Sequence, residues 1–225
     1  QEPQTNNMVF WLRSDGGVGT NSTGFVTNWQ DKTANGHAAY QTNAASRPKC
    51  YTNVYKGTPG IYFNGTNSLF IQNAGDINTN GPYAQKMMAL AFRTADDTVS
   101  RQVLYEQGGT NSGMNVYITN GYVYLGAWNY ETNGGWGAIW LSTPVARDMQ
   151  YTLQLNCGTN MSGQINGVLI GQTNAGSLAS STDGICIGGI SGWTRFWSNE
   201  TASASNYFKG WISEAMQFSN SADVT

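Results

Sequence analysis

Two groups of aromatic residues set among amides are the part of this sequence best suited to chemistry. Trp128, Asn129, Tyr130 and Trp136 form the first, and Trp193, Arg195, Phe196 and Trp197 form the second. A sugar site places a flat ring against the C–H face of a pyranose, while amides and guanidinium groups take the hydroxyls. Both groups fall in stretches rich in Asn, Gly, Thr and Ser, where loops are expected. Large aromatics in an all-β protein more often fill the core, and Trp11, Trp29 and Trp211 are read that way. The expected ligand-binding residues are Trp128, Asn129, Tyr130, Trp136, Trp193, Arg195 and Trp197.

Bond-breaking chemistry finds less support. Glycoside hydrolysis needs two carboxylates, ~5–5.5 Å apart for retention or ~6.5–9.5 Å for inversion. The glutamates Glu2, Glu106, Glu131, Glu200 and Glu214 are never two or four apart, as same-face neighbours on one strand would be. Glu106 lies in an apolar strand, so a buried carboxylate paired with Arg93 or Arg13 is expected. A lyase needs a base and a group to neutralise the uronate. His37, the single histidine, sits in the Asn35-Gly36 turn and is expected to be solvated, and the tyrosines are too many to single one out. No catalytic residue is therefore assigned. No G-x-S-x-G elbow and no phosphate-cradling glycine motif occurs. Calcium would need several oxygens gathered from loops. Asp76, Asp96 and Asp97 are the candidates, although turn aspartates usually cap their own backbone. No cofactor is required on this reading, a structural calcium ion aside.

Strands must position these groups. Met8–Arg13, Phe25–Trp29, Ile61–Phe63, Leu69–Ile71 and Lys86–Thr94 read as strands, followed by QVLYEQ, MNVYIT, YVYLGAW and GAIWLST between residues 102 and 143. Gln150–Asn156, Ser162–Gly171, Ile185–Gly188 and Tyr207–Ser219 complete the set. Apolar residues alternate along them, which predicts one buried face. Asn64-Gly65, Asn120-Gly121 and Asn166-Gly167 are hairpin signals, since the tight turn needs positive φ. No amphipathic helix is evident. Loops are expected over 16–24, 31–56, 76–82 and 191–206. The fold class is an all-β, two-sheet antiparallel sandwich, with residues 1–225 as one domain that could belong to a larger protein.

Composition narrows the partners. Only 11% of the 225 residues are charged, against a usual ~25%. The eleven Lys and Arg are scattered singly and the net charge is -2, which argues against nucleic acid. No apolar run approaches the ~20 residues of a membrane span. Cys50, Cys157 and Cys186 lack metal-binding spacing. Three reduced thiols are expected, and Cys157–Cys186 is the pair to consider if one forms. The four Asn-x-Ser/Thr sequons, at Asn21, Asn64, Asn160 and Asn199, matter only in a glycosylating host.

The order of motifs carries a resemblance. Phe10-Trp11-Leu12-Arg13, Trp29-x-Asp31, Asn35-Gly36-His37-Ala38, Arg47-Pro48 and Ile61-Tyr62-Phe63-Asn64-Gly65 come first. Then follow Gln102 to Gly109, Gly113 to Ile118, Asn166-Gly167, Ile187-Gly188-Gly189 and Phe208 to Glu214. Together they resemble the laminin-G-like, concanavalin A-like jelly-roll domains of bacterial secreted and surface proteins. That resemblance implies a concave and a convex sheet, and a carbohydrate or other surface ligand held at rim loops, sometimes with calcium. The Glu-x-Asp-x-x-Glu pattern of the glucanases on that fold is absent. The expected function is a secreted, lectin-like, non-catalytic module that grips a polysaccharide. A polysaccharide lyase or atypical hydrolase, and an adhesive module of a surface protein, are the alternatives.

Overall fold

Period-two alternation decides the architecture, because a strand with one apolar face must bury it against another sheet. A computed structural model describes residues 7–219. Its strands in chain order are β1 (Met8–Arg13), β2 (Val18–Thr20), β3 (Val26–Trp29), β4 (Ala39–Tyr40), β5 (Lys49–Tyr55), β6 (Thr58–Asn64), β7 (Leu69–Ile71), β8 (Gln85–Thr94), β9 (Gln102–Gly108) and β10 (Ser112–Thr119). They continue with β11 (Tyr122–Asn129), β12 (Gly137–Pro144), β13 (Gln150–Gly158), β14 (Asn160–Ile165), β15 (Val168–Asn174), β16 (Ile185–Ile187), β17 (Trp193–Arg195), β18 (Thr201–Ser203) and β19 (Lys209–Phe218). Ala44–Ser46 forms a single 3-10 turn and Gly75–Thr79 a π-type turn.

The first sheet runs β15-β14-β13-β8-β19-β6-β5, with β1 paired to the second half of β19. The second runs β12-β11-β10-β9-β16-β7-β4-β3-β2. Leu90, Phe92, Leu153 and Leu155 of the first sheet meet Val116, Ile118, Leu125 and Ala127 of the second in one core. Each outer face carries a smaller apolar cluster of its own. Met8, Trp11, Met87, Ala89, Met216 and Phe218 lie outside the first sheet. Val103, Tyr117, Ile190 and Phe196 lie outside the second, beneath the β17–β18 hairpin.

The turns behave as their chemistry requires at two of three places. Asn120 and Gly121 (φ 51° and 77°) close β10–β11, and Asn166 and Gly167 (φ 49° and 77°) close β14–β15. Asn64-Gly65 does not close a hairpin. It carries the chain from β6 in the first sheet to β7 in the second. Asn64 Oδ1 there accepts from the Thr66 amide at 2.9 Å and its hydroxyl at 2.8 Å, so the turn bends the chain without pairing its arms. The expected loops also hold short strands: β2, β4 and β5, and the β17–β18 hairpin. Their two to seven residues carry too few apolar positions for alternation to show.

All three cysteines are free thiols. Cys157 lies in the first sheet and Cys186 in the second, so the considered pair is not formed. Burial pushes the Cys157 thiol up to about 12.

Gly188 shows how tightly the core is closed. Its φ is 80°, and a Cβ built there would lie 2.3 Å from the Phe63 ring. Gly121 has a similar φ but open space around it. We expect Gly121→Ala to cost ~1 kcal/mol of backbone strain. Gly188→Ala should cost upwards of ~2 kcal/mol, because overpacking is added to the strain. Denaturant midpoints of the two variants measure the difference.

Candidate functional site

The first aromatic group is divided by the structure. Trp128 stands opposite Gly113 on the outer face of the second sheet. A Cβ on Gly113 would sit 2.7 Å from the indole, so the glycine is what lets the ring lie flat. Trp128 is 0% exposed and its Nε1 donates to the Gly109 carbonyl at 2.7 Å. It cannot stack on a sugar. Asn129 is buried as well: Nδ2 donates to the Ser177 carbonyl and Oδ1 accepts from the Glu131 amide, both at 3.0 Å. Trp136 packs partly against the core, and its Nε1 donates to the same Ser177 carbonyl at 2.9 Å. Asn129 and Trp136 fasten the loop around Ser177 and Trp128 the turn at Gly109; the buried Trp128 and Asn129 leave the expected ligand set, while Trp136 is half-buried.

Tyr130 does meet the second group. Its hydroxyl donates to Asn199 Oδ1 at 2.7 Å, and the Arg195 guanidinium lies 4.2 Å above its ring. Arg195 Nε donates to the Thr110 carbonyl at 2.5 Å, and the Tyr130 amide donates to the Asn111 carbonyl. The hairpin is thereby tied to two loops at one end of the sandwich. Beside this knot is an open hollow of about 310 Å3, walled by Thr110, Asn111, Glu131, Ser181, Thr182 and Asp183. Trp193, 47% exposed, follows Gly192, where an added Cβ would lie 3.0 Å from the Asp183 carboxyl. Hydroxyls, an amide, two carboxylates, a guanidinium and the Tyr130 ring thus share one rim, with Trp193 two residues along the same strand from Arg195.

Trp197 is 65% exposed and sits apart, 6.4 Å from Tyr124. Its amide donates to the Tyr117 hydroxyl at 2.9 Å, Tyr117 stacks on Tyr124 at 4.9 Å, and Phe196 meets Tyr117 edge-on. Phe196 is buried in this stack. Sequence reading missed Tyr117, Tyr124, Asn115 and Thr194. Alternation puts Tyr117 and Tyr124 on the outward face, but nothing local says that a later hairpin covers them.

Glu106 differs from expectation. Arg93 Nη1 donates to the Val54 carbonyl and its guanidinium faces Trp211, while Arg13 pairs with Asp15 and covers Trp11. Neither reaches Glu106. Its cross-strand neighbours are Asn115 and Cys186, and Oε2 accepts from the Ser191 amide at 3.0 Å. It is fully buried, and burial first, then the nearby Asp183 charge, holds its carboxyl well above the usual carboxylate range.

The expected calcium residues are engaged by protein groups. Asp76 Oδ2 lies 2.8 Å from His37 Nε2, so the histidine is paired rather than merely solvated. Asp96 pairs with Lys209 at 2.8 Å, and Asp97 caps the Val99 and Ser100 amides. Among the described residues no group of three or more His, Cys, Asp or Glu side chains converges.

With this geometry in view, the chain can be set beside known proteins. No family model and no curated protein sequence matches it. Among solved structures it is similar to the binding domain of Paraclostridial Mosquitocidal Protein 1 (TM-score 0.67, 11% identity), covering 97% of this chain and 50% of that one. It is similar to the receptor binding domain of botulinum neurotoxin D (0.67, 13%, 97% and 50%). It is also similar to the binding domain of botulinum neurotoxin DC in complex with SialylT (0.65, 10%, 98% and 49%). The chain is an antiparallel β-sandwich of the kind found in these binding domains. It spans about half the length of each, and at these identities the likeness establishes the fold.

An unfolded chain ionises Glu106 near its ordinary value of 4.5, and the folded chain does so only at higher pH. The fold therefore holds an extra proton there, and its stability falls as pH rises above about 4.5. Glu106→Gln should abolish that part of the fall, gaining on the wild type as pH rises above about 4.5. Parallel pH profiles in denaturant melts would show that Glu106 is ionised in the fold. Trp128→Phe should cost ~1 kcal/mol for the lost bond to Gly109, measured the same way.

Proposed function

We propose that this domain is a secreted or cell-surface carbohydrate-binding module, of concanavalin A-like, laminin-G-like jelly-roll type, that holds a glycan without breaking it. One observation carries the reading: the rim hollow of hydroxyl, amide and carboxylate groups includes Thr110, to which Arg195 is bonded while it covers Tyr130, and the exposed Trp193 lies two residues from Arg195 on the same strand. A pyranose seated there would stack on Trp193 and give its hydroxyls to Asn111, Thr182 and the guanidinium, which has five donors and spends one on Thr110. The order of motifs supports the jelly-roll assignment. The toxin binding domain solved with SialylT supports the ligand class, and the low charge supports a place outside the cell. The carboxylate most suited to acid–base work, Glu106, is sealed beneath the hairpin, which favours binding over catalysis. One shallow site binds weakly, so neighbouring domains or repeated copies in a larger protein would supply avidity.

Titration with a panel of soluble polysaccharides, with and without EDTA, tests the reading. Tryptophan fluorescence follows binding, and reducing ends and the ultraviolet absorbance of unsaturated sugars follow cleavage. We expect saturable binding without product. Trp193→Ala should weaken it at least tenfold, about 1.4 kcal/mol, while stability changes by no more than ~0.5 kcal/mol at this exposed position. New reducing ends would replace the reading with an enzyme. Unchanged binding by the variant would remove the rim as the site.

A further inference from the structure

The sequence from Thr132 to Ala146 holds no charged residue, and it builds an edge strand. An edge presents unpaired N–H and C=O groups, so folded proteins blunt edges with charge, with bulges or by keeping them short. The first sheet ends on β15 and β5, the second on β12 and β2. Three of these four edges are blunted. β2 has three residues and a register shift between Gly19 and Thr20. β5 shifts register between Tyr51 and Tyr55 and carries Lys49. β15 meets β14 across a shift that skips Ile170. β12 differs: all eight of its residues pair with β11 in unbroken register. Its single proline, Pro144, is its last residue. Among the described residues no strand pairs with its other side.

Pairing also orients the side chains. Ile139, Leu141 and Thr143 stand opposite the core residues Ala127, Leu125 and Val123. Ala138, Trp140 and Ser142 therefore face outward. Leu141 is held from across the sandwich, since a Cβ on Gly163 would lie 3.2 Å from its Cδ1 and one on Gly171 2.9 Å from its Cδ2. Gly171 belongs to β15, so β12 and β15 end the two sheets on the same flank. Val168 and Leu169 of β15 are 66% and 55% exposed there.

We infer that β12 is the seam of a symmetric dimer, where it pairs antiparallel with β12 of a second copy and makes one continuous sheet. A twofold axis beside Trp140 sets Gly137 opposite Thr143 of the copy, Ala138 opposite Ser142 and Ile139 opposite Leu141. Core-facing residues then meet core-facing residues, and Pro144 falls outside the ladder. A lone foreign strand would fill β12 and leave β15 bare. The axis that pairs β12 also turns β15 toward its copy, so one self-complementary contact serves both edges. Seven paired residues span roughly 24 Å, and two sheets ~10 Å apart with their side chains make the flank about 20 Å deep. That is roughly 500 Å2 from each copy, or about 1,000 Å2 in total, enough for a specific interface. The inference stands apart from whatever the rim binds.

Sedimentation from about 1 to 200 µM, where modest interfaces dissociate, and hydrogen exchange at both ends of that range test it. We expect a monomer–dimer equilibrium, with the amides of residues 137–143 exchanging roughly tenfold more slowly in the dimer. Ala138→Lys with Ser142→Lys sets like charges opposite each other twice across the seam and should weaken association roughly tenfold or more. Ala138→Lys with Ser142→Glu sets opposite charges there and should restore it. Ser142→Lys alone, at an exposed position, should weaken association without disturbing Ala138, and its denaturant midpoint should match the wild type. A monomer at every concentration would leave the edge to some other strand and overturn the inference. So would added protection that falls outside β12, or equal association by the two double variants.

Discussion

The hydrogen bonds from Asn115 Nδ2 to Thr194 Oγ1 (2.9 Å) and to the Arg195 carbonyl (2.6 Å) fix the hairpin on the second sheet, and much else depends on that seat. They turn an outward-facing strand position into a buried one. Glu106 is then sealed from water, Phe196 packs on Tyr117, and Arg195 is delivered to Tyr130 and Thr110. The same placement leaves the indoles of Trp193 and Trp197 facing solvent, since Thr194 between them points at the sheet. Exposure of the candidate binding rings and burial of the carboxylate have one cause.

Much of the fold was legible because strands advertise themselves by alternation. β1, β7 and β8 to β14 fall within a few residues of their expected bounds, and two Asn-Gly turns close the hairpins they predict. What alternation cannot convey is which sheet a strand joins. Asn64-Gly65 reads like the other two turns, yet β7 pairs with β4 and β16 rather than with β6. One of those partners, β16, lies more than a hundred positions away.

The candidate site was less legible, for a related reason. Trp128 and Tyr130 are two residues apart on the same side of the strand line, and local sequence treats them alike. The first disappears beneath the Gly109 loop because Gly113 has no side chain to hold it off; the second clears the sheet end and finds Arg195. Burial at the edge of a sheet is decided by what crosses over it.

The pairing of β1 with β19 has a further consequence. The Ser219 amide donates to the Asn7 carbonyl at 2.9 Å, so the chain enters and leaves the sandwich side by side. The sheet cannot close until its last strand has been synthesised, which makes folding a late, non-local event. A unit with adjacent entry and exit can also be spliced into a loop of another domain without stretching its host. A unit of this geometry can serve as a cassette as readily as a link in a string.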